Sequence, residues 1–288
     1  MDCLITEMEY KEFGNTGVKV SSVGIGTYYD PGWMALSRFN VKRDAEKKIQ
    51  AIRTAIDAGV TLIDTAEIYG SEDLVAKAIE GHNREELFIA TKVWINHLRY
   101  DKVIKACKAS LSRLNTKYVD LYQIHFPSPT ANLQETFKAM EKLVDDGLVK
   151  FIGVSNFSRG KLEKSMEYVK KYEIVSNQIH YSLKKRDAEE DIVKFCENNG
   201  MAVLAWYPLE HGSLVRESDY PSEILARIKA KHPSITPAQI ALSYLIYGNK
   251  LVFPIPRASN PEHVKENIAS VEQKLDQEEI EELRKYFN

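Results

Sequence analysis

The sequence lacks the usual features of membrane and nucleic-acid-binding proteins. No apolar run approaches the roughly 18 residues of a membrane-spanning helix, and no basic and apolar signal peptide opens the chain. Lys and Arg total 39 against 41 for Asp and Glu, and the net charge of −2 gives no long-range attraction for a polyanion such as DNA. We therefore expect a cytoplasmic protein that binds neither nucleic acid nor a membrane.

Cysteine is scarce, and its spacing excludes a recognisable metal site. Cys3, Cys107 and Cys196 are far apart and odd in number, which fits a reducing compartment. Cys107 and Cys196 fall within amphipathic helical patterns, where a buried thiol is ordinary. No H-x-H pair and no Asp and His cluster with metal spacing occurs, so a metal-dependent hydrolase is disfavoured.

No Pro-, Gly- or Ser-rich linker divides the chain, and the apolar pattern indicates one domain over residues 1–288. After a predicted hairpin at residues 9–21, eight short apolar runs alternate with segments whose apolar residues recur three or four positions apart. The eight runs are residues 22–26, 61–65, 87–93, 119–125, 151–154, 174–179, 202–207 and 251–255.

Repeated strand and helix units predict the fold class. Helix starts are signalled by Asn132 three positions before Glu135, Thr236 three before Gln239, and Asp276 three before Glu279. Eight units with crossovers of one hand favour an α/β fold, the (β/α)8 TIM barrel, with an N-terminal β-hairpin and a C-terminal extra helix. An open doubly wound sheet is the alternative, but no G-x-G-x-x-G motif follows the first run.

Three consecutive apolar runs end in chemically active residues, on the side where a barrel carries its active site. Asp64 and Tyr69 end one run, Lys92 the next, and His125 the third. Neighbouring strands would bring these groups together as a set that handles protons. We expect the Lys92 ammonium to lower the pKa of Tyr69 by stabilising the phenolate, and Asp64 to hold Lys92 in place.

Each of these residues has a structural alternative when it is considered alone. Asp64 and Lys92 could form a buried ion pair, His125 could be a core histidine, and Tyr69 could serve packing. The presence of all four at the ends of consecutive runs favours the chemical interpretation. A lysine at a strand end could also form a Schiff base, so an aldolase that uses Lys92 is a rival enzyme.

The same stretches resemble the aldo-keto reductase family over essentially the whole chain. Residues 64–70 are similar to its D-T-A-x-x-Y-G motif, residues 90–92 to its catalytic-lysine strand, and residues 123–125 to its histidine strand. Residues 153–157 and 177–179 match its cofactor strands. The resemblance implies NAD(P)H-dependent reduction of small aldehydes or ketones, with Tyr69 donating the proton. A nicotinamide-binding redox sensor with little turnover is the rival from another functional class.

The resemblance also implies residues for the nicotinamide end of the cofactor. Ser155, Asn156 and Gln178 would hold the carboxamide, and Tyr207 would stack on the ring, which suits hydroxyl, amide and aromatic groups. For Asn156 a helix cap is the alternative. Backbone N–H groups in the loop at residues 209–214 could bind the pyrophosphate, and Glu210 must then point away. Further cofactor positions implied are Gly26, Thr27, Leu209, Gly212, Ser213, Ile255 and Ser259.

Residues 254–267 resemble the family's segment for the adenosine 2′-phosphate. Arg257 takes the place of the phosphate-binding cation, and a helix begins near residue 260 with its N-terminus toward the anion. His263 stands where many NADP-preferring members have arginine, so we expect a moderate preference for NADP(H), with NAD(H) also usable. Glu266 and Asn267 resemble the adenine-binding pair, for which a solvated helix face is the alternative.

The substrate end departs from members with well-defined pockets. The chain stops where its last helix ends, and the loops after Lys92 and Tyr207 are short, so we expect an open pocket. Its predicted walls are aromatic and suit small or aromatic carbonyl compounds of a broad range. The predicted wall residues are Tyr28, Tyr29, Trp33, Trp94 and Phe126. Packing is the alternative for each, and nothing in the sequence specifies an oligomeric state.

Overall fold

A computed structural model describes residues 7–287, and a barrel of parallel strands organises them. The strands are β1 (Tyr10–Glu12), β2 (Lys19–Ser21), β3 (Ile25–Gly26), β4 (Leu62–Asp64), β5 (Phe88–Val93), β6 (Val119–Ile124), β7 (Val149–Ser155), β8 (Ile174–His180), β9 (Ala202–Trp206) and β10 (Val252–Pro254). Strands β3 to β10 form one parallel sheet in chain order, and β1 and β2 pair as the predicted antiparallel hairpin.

The sheet closes through hydrogen bonds from Gly24 and Gly26, at the start and end of the segment that contains β3, to the last residue of β10 and the residues after it. Gly24 N donates to Pro254 O at 2.9 Å, and Gly26 N donates to Pro256 O at 2.9 Å. At this closure a Cβ on Gly26 would lie 3.0 Å from the Ile255 carbonyl oxygen, so the glycine permits the close approach of the two strands. The predicted (β/α)8 barrel is confirmed.

The barrel has an apolar interior, and the hairpin seals its lower end. Inward side chains of alternate strand positions, such as Leu62, Leu121 and Leu204, form one buried cluster. Phe13, in the hairpin connection, is fully buried in this cluster, with its ring centroid 4.7 Å from that of Phe88 and 5.3 Å from that of Phe253. The hairpin connection thus fills this end of the barrel with apolar side chains.

Helices cover the outside of the barrel because their apolar faces bury the outward strand residues. The helices are α1 (Pro31–Ser37), α2 (Ala45–Asp57), α3 (Glu72–Ile79), α4 (Tyr100–Leu114), α5 (Leu133–Asp145), α6 (Arg159–Met166), α7 (Lys194–Asn198), α8 (Ser222–Lys231), α9 (Pro237–Gly248), α10 (Pro261–Ile268) and α11 (Gln277–Tyr286). Helix α11 is the predicted C-terminal extra helix. Among residues 7–287, none of these helices is long and apolar enough to cross a membrane.

The predicted start signals are present in the structure. The Asn132 side chain accepts a hydrogen bond from Glu135 N, and reciprocal capping boxes join Thr236 with Gln239 and Asp276 with Glu279. These bonds satisfy N–H groups that a helix leaves unpaired at its beginning. Cys107 and Cys196 are free and buried as expected, whereas Cys3 lies outside the described residues.

Candidate active site

The structure brings the four predicted catalytic residues into contact at the upper end of the barrel. Lys92 Nζ donates to Asp64 Oδ2 at 2.7 Å and to the Thr65 carbonyl at 2.9 Å, and it lies 3.4 Å from Tyr69 Oη. His125 Nε2 lies 3.3 Å from the same phenol oxygen. Tyr69 Oη is therefore the point at which an ammonium and an imidazole converge.

Burial controls the electrostatics of the Asp64 and Lys92 pair. Lys92 is 0% exposed and Asp64 is 2% exposed, so neither charge is hydrated. Burial raises the pKa of Asp64 and lowers the pKa of Lys92, while each charge opposes the shift of its partner. The close ion pair and a second hydrogen bond to Asp64 favour the charged forms.

The expected lowering of the Tyr69 pKa is wrong in direction for this structure. Burial, and after it the negative charge of Asp64, raise the pKa of Tyr69 well above its ordinary value. Burial removes the water that would stabilise a phenolate, and the Asp64 carboxylate, 2.7 Å from Lys92 Nζ, adds a nearby negative charge that opposes ionisation of the phenol. Tyr69 therefore keeps its proton at neutral pH. Burial also lowers the pKa of His125 to about 2, so the imidazole is neutral.

Two buried glutamines lie beside the ion pair, and one of them bonds to it. Gln178 Nε2 donates to Asp64 Oδ1 at 2.7 Å, a contact that the sequence analysis did not anticipate for this residue. Gln123, the neighbour of Lys92 across β5 and β6, is 0% exposed inside the barrel and was not predicted. Gln123 lies two residues before His125, so the two side chains are on the same face of the strand. This two-residue spacing could have identified Gln123 from the sequence.

The predicted carboxamide residues form a connected group beside His125. Ser155 Oγ donates to Gln178 O at 3.0 Å, and Asn156 Nδ2 donates to both His125 O and Ser155 Oγ at 3.0 Å. Asn156 has a φ of 62°, a left-handed backbone conformation that asparagine tolerates. The helix that follows, α6, begins after Ser158, so Asn156 is not its cap. These hydroxyl and amide groups are of the kind that a carboxamide requires.

Tyr207 lies next to this group, and the ring of Tyr28 contacts the rings of both Tyr207 and Tyr69. The ring centroid of Tyr28 is 5.3 Å from that of Tyr69 and 6.1 Å from that of Tyr207, and both contacts are edge to face. Tyr28 and Tyr207 are each partly exposed, so their rings offer accessible aromatic surface at the barrel mouth. A flat nicotinamide ring fits such a surface.

The loop after β9 holds the Glu210 side chain against residues at the end of β8. Glu210 Oε1 accepts hydrogen bonds from Ser182 Oγ at 2.6 Å and from His180 Nε2 at 2.7 Å. Leu209, Gly212 and Ser213 are partly exposed beside it. Glycine at 212, with a φ of 91°, permits the turn of a loop whose backbone could bind an anion.

The segment after β10 presents polar groups suited to an adenosine phosphate. Arg257 is exposed, and its Nη1 donates to Tyr29 O at 2.8 Å, while its remaining N–H groups have no partner within residues 7–287. Asn260 caps α10 by accepting from Glu262 N, and His263 is exposed in the first turn. Glu266 is partly exposed, and the amide of Asn267 makes no hydrogen bond to any residue in the described range. Ser259 is partly exposed.

Not every predicted cofactor position reaches the surface. Thr27 is 0% exposed, and its hydroxyl donates to the Asp64 carbonyl at 3.1 Å, so the side chain supports β4. Gly26 and Ile255 are buried at the barrel closure. The side chains of Thr27 and Ile255 thus stabilise the barrel. Gly26 allows the backbones of the two closing strands to pack closely.

The predicted aromatic wall separates into two groups in the structure. The ring centroid of Trp94 lies 5.1 Å from that of His125, and Phe126, 38% exposed, stacks on His125 at 5.1 Å. Tyr29 and Trp33, by contrast, are 3% and 5% exposed and pack against each other below the Lys48 ammonium. Trp33 Nε1 donates to Tyr69 O at 3.1 Å, so this residue supports the loop that carries Tyr69.

Comparisons with known proteins point to one family. The model of the Aldo/keto reductase family matches residues 31–287. Methylglyoxal reductase YeaE of Escherichia coli strain K12 is 34% identical over 276 residues, which cover 94% of this chain and 92% of that protein. The thermostable aldo-keto reductase Tm1743, solved with the inhibitor epalrestat, is 38% identical with a TM-score of 0.85, covering 96% of this chain and 99% of that one. An aldo/keto reductase from Klebsiella pneumoniae, solved with NADP and acetate, is 32% identical with a TM-score of 0.84, covering 98% and 96%.

Proposed function

This chain belongs to the aldo/keto reductase family, and from that premise we propose how its own residues carry out the reaction. It is an NAD(P)H-dependent oxidoreductase that reduces the carbonyl group of an aldehyde or ketone to an alcohol. The observation that supports the assignment of residues best is the convergence of Lys92 Nζ and His125 Nε2 on Tyr69 Oη, at 3.4 and 3.3 Å.

Tyr69 is the proposed proton donor to the carbonyl oxygen. Its raised pKa keeps the phenol protonated at neutral pH, so the donor is ready before each turnover. When Tyr69 gives up its proton, the hydrogen bond from Lys92 stabilises the phenolate that remains. Asp64 holds Lys92 at 2.7 Å and keeps it charged despite burial. A positioned acid of this type contributes about 10²- to 10⁴-fold to a rate.

His125 is proposed to orient the substrate. Its neutral imidazole cannot release a proton as an imidazolium would, but an Nε2–H can donate a hydrogen bond to the carbonyl oxygen that Tyr69 protonates. Trp94 contacts the imidazole edge to face and Phe126 stacks on it, and together they limit its rotation. The carbonyl oxygen is thereby held between two donors, which fixes its geometry.

The proposed cofactor is NADPH, with NADH as a weaker substitute. A bound reduced nicotinamide supplies the hydride. Ser155 and Asn156 are proposed to hold its carboxamide and Tyr207 to pack on its ring, supported by their adjacency to His125. Among residues 7–287, the Arg257 N–H groups other than the one bound to Tyr29 O have no partner and suit a 2′-phosphate, and the Asn267 amide likewise has none and suits adenine. The similar aldo/keto reductase from Klebsiella pneumoniae was solved with NADP, which supports NADPH as the proposed cofactor.

The proposed substrates are small aldehydes, including 2-oxoaldehydes such as methylglyoxal. The chain is similar to methylglyoxal reductases from Escherichia coli strains at 34% and 35% identity. Tyr28, Trp94 and Phe126 form a shallow aromatic wall that can contact a small carbonyl compound without enclosing it. We expect a broad substrate range with modest affinity.

The test follows NADPH and NADH oxidation spectrophotometrically with a panel of methylglyoxal, glyceraldehyde and an aromatic aldehyde. Tyr69→Phe removes the proton donor and retains the ring, so kcat/KM should fall by about 10²- to 10⁴-fold. Tyr286→Phe, a change on an exposed helix position, is the matched control and should behave as wild type. Equal activity of wild type and Tyr69→Phe would refute the role of Tyr69.

Two further measurements, of NADPH binding and of borohydride trapping, separate the rival functions. NADPH binding without turnover of any aldehyde would favour a redox-sensing subunit. Substrate trapped on Lys92 by borohydride, with no nicotinamide requirement, would favour the aldolase. The structure argues against the latter, because Lys92 is 0% exposed and its ammonium is bound by Asp64 and the Thr65 carbonyl.

A further inference from the structure

The loop that follows β9 has an unusual backbone that other contacts must hold in place. Tyr207, Glu210 and His211 all have positive φ values, of 52°, 46° and 52°. Side chains with a Cβ disfavour this left-handed region, so such a conformation persists only where the surroundings enforce it. The loop begins with Tyr207, the residue proposed above to pack on the nicotinamide ring, and the inference below rests on that proposed function.

Glu210 makes the main side-chain hydrogen bonds between this loop and the end of β8. Its Oε1 accepts from Ser182 Oγ at 2.6 Å and from His180 Nε2 at 2.7 Å, and Ser182 is fully buried. A further hydrogen bond connects the same two segments, in which Lys184 Nζ donates to Ser213 O at 2.6 Å. The carboxylate is therefore held on the β8 side of the loop, facing two donors.

The contact of Glu210 with His180 continues into the proposed nicotinamide site. The His180 ring stacks on Trp206, with centroids 4.3 Å apart and planes at 18°. Trp206 Nε1 donates to Asn156 Oδ1 at 3.1 Å, and Asn156 Nδ2 donates to the His125 carbonyl. Side chains in direct contact thus connect Glu210 to the residues proposed to hold the carboxamide.

We propose that Glu210 is a positioning residue for the cofactor, acting by anchoring the loop at residues 207–213 through Ser182 and His180. The anchor keeps Tyr207 at the nicotinamide position and leaves the loop backbone open toward the pyrophosphate. It also directs a negative charge away from the phosphates, which an unanchored carboxylate would repel. Loss of the anchor weakens cofactor binding and leaves the proton-transfer group intact, because Glu210 does not contact Tyr69, Lys92 or Asp64.

The test compares Glu210→Ala, Glu210→Gln and Ser182→Ala with Glu217→Ala as the matched control. Glu217 is an exposed carboxylate seven residues along the chain, and it pairs with Lys229 instead of the loop. The measurements are the NADPH Kd from quenching of tryptophan fluorescence, and the separate KM values for NADPH and for an aldehyde. Trp206, which is stacked on His180, is a local reporter of the loop.

Glu210→Ala should raise the Kd and KM for NADPH about tenfold, because two hydrogen bonds to a charged group are lost. The KM for the aldehyde and kcat should change less than about twofold. Glu210→Gln should recover most of the affinity, because its amide oxygen can still accept from Ser182 and His180. The double variant Ser182→Ala with Glu210→Ala should lose less NADPH affinity than the sum of the two single losses, because both changes remove the hydrogen bond between Ser182 and Glu210.

Unchanged NADPH affinity in Glu210→Ala would overturn the inference, and so would a loss in Glu210→Gln as large as in Glu210→Ala. Should Glu210→Ala fail to fold, Ser182→Ala decides, since it must weaken NADPH binding and spare the aldehyde KM. These results are distinct from a failure of the proposed function. Cofactor affinity is measured without turnover, so it remains informative even if wild type reduces no aldehyde in the panel.

Discussion

The charge on Asp64 supports both the stability and the chemistry of the site, so Asp64→Asn is expected to damage both. Asp64 is the only carboxylate that the described residues place in contact with the fully buried Lys92 ammonium. Asparagine preserves the shape and can still accept from Lys92, but it removes the negative charge. The variant therefore leaves a buried ammonium without a counter-ion.

The expected loss in the free energy of unfolding follows from the distance between Asp64 and Lys92. At 2.7 Å and an effective dielectric of about 20, the attraction between the two charges is about 6 kcal/mol. Lys92 can reduce the penalty by losing its proton, and it keeps its bonds to the Thr65 carbonyl and Tyr69 Oη. A decrease of about 3–5 kcal/mol in the free energy of unfolding is expected, as for other buried pairs that lose one partner.

Urea unfolding at several pH values measures the loss of stability in Asp64→Asn and shows whether the buried Lys92 ammonium causes it. In the variant the pKa of Lys92 falls further below its ordinary value, because burial already lowers it and the opposing charge of Asp64 is absent. Between the folded and unfolded pKa values, the unfolded chain binds more protons than the folded chain. The free energy of unfolding of Asp64→Asn should therefore rise with pH up to about 10.4, more steeply than that of wild type.

The double variant Asp64→Asn with Lys92→Met is the control for charge. It removes both charges and keeps an unbranched side chain at residue 92, so it should be more stable than Asp64→Asn alone. Both variants should lose carbonyl reduction, because neither supplies an ammonium to the Tyr69 phenolate. Two results would refute the reasoning. One is an Asp64→Asn protein that unfolds at the same urea concentration as wild type. The other is a double variant whose loss in free energy of unfolding equals the sum of the two single losses.

Three further perturbations test other parts of the molecule. His125, whose pKa burial lowers to about 2, stays neutral, so the pH profile of kcat/KM should show no inflection near about 6.5; an inflection there that disappears in His125→Gln would contradict this. Arg257→Ala should raise the KM for NADPH about 10- to 100-fold and leave the KM for NADH within about twofold, because charge-assisted hydrogen bonds contribute about 1.5–3 kcal/mol. Equal rises for both cofactors would show that Arg257 acts through the Tyr29 carbonyl instead. Phe13→Ala should lower the free energy of unfolding in urea by about 3–5 kcal/mol and leave kcat/KM unchanged at 25 °C, because the cavity opens at the end of the barrel opposite the site. A loss of kcat/KM in folded Phe13→Ala protein would show that the two ends are coupled.

Local pattern was sufficient to predict the barrel and the position of the four catalytic candidates. The runs that end at Asp64, Lys92 and His125 are short and apolar, and parallel strands carry their carboxyl ends to one side. Capping boxes such as Thr236 with Gln239 involve residues three positions apart, so the sequence contains all the information they need. The hairpin was predictable for the same reason.

Contacts between distant parts of the chain were not predictable in this way. Tyr29 and Trp33 have the aromatic character of a pocket wall, yet Lys48 covers them and the core buries them. Gln178 was assigned to the carboxamide by resemblance, but its amide nitrogen donates to Asp64, 114 residues away. Composition cannot distinguish a wall from a core residue, because burial depends on what packs against it.

The amino-acid sequence by itself determined which groups gather at the barrel mouth, because hydrophobic periodicity sets the strands and the strands set the side on which they end. Only the tertiary structure decided the protonation of those groups. Depth of burial, and after it the negative charge of Asp64, raise the pKa of Tyr69, which is the opposite of the expected shift. Electrostatic energy depends on distance and on exclusion of water, and both are set by packing among residues far apart in the chain.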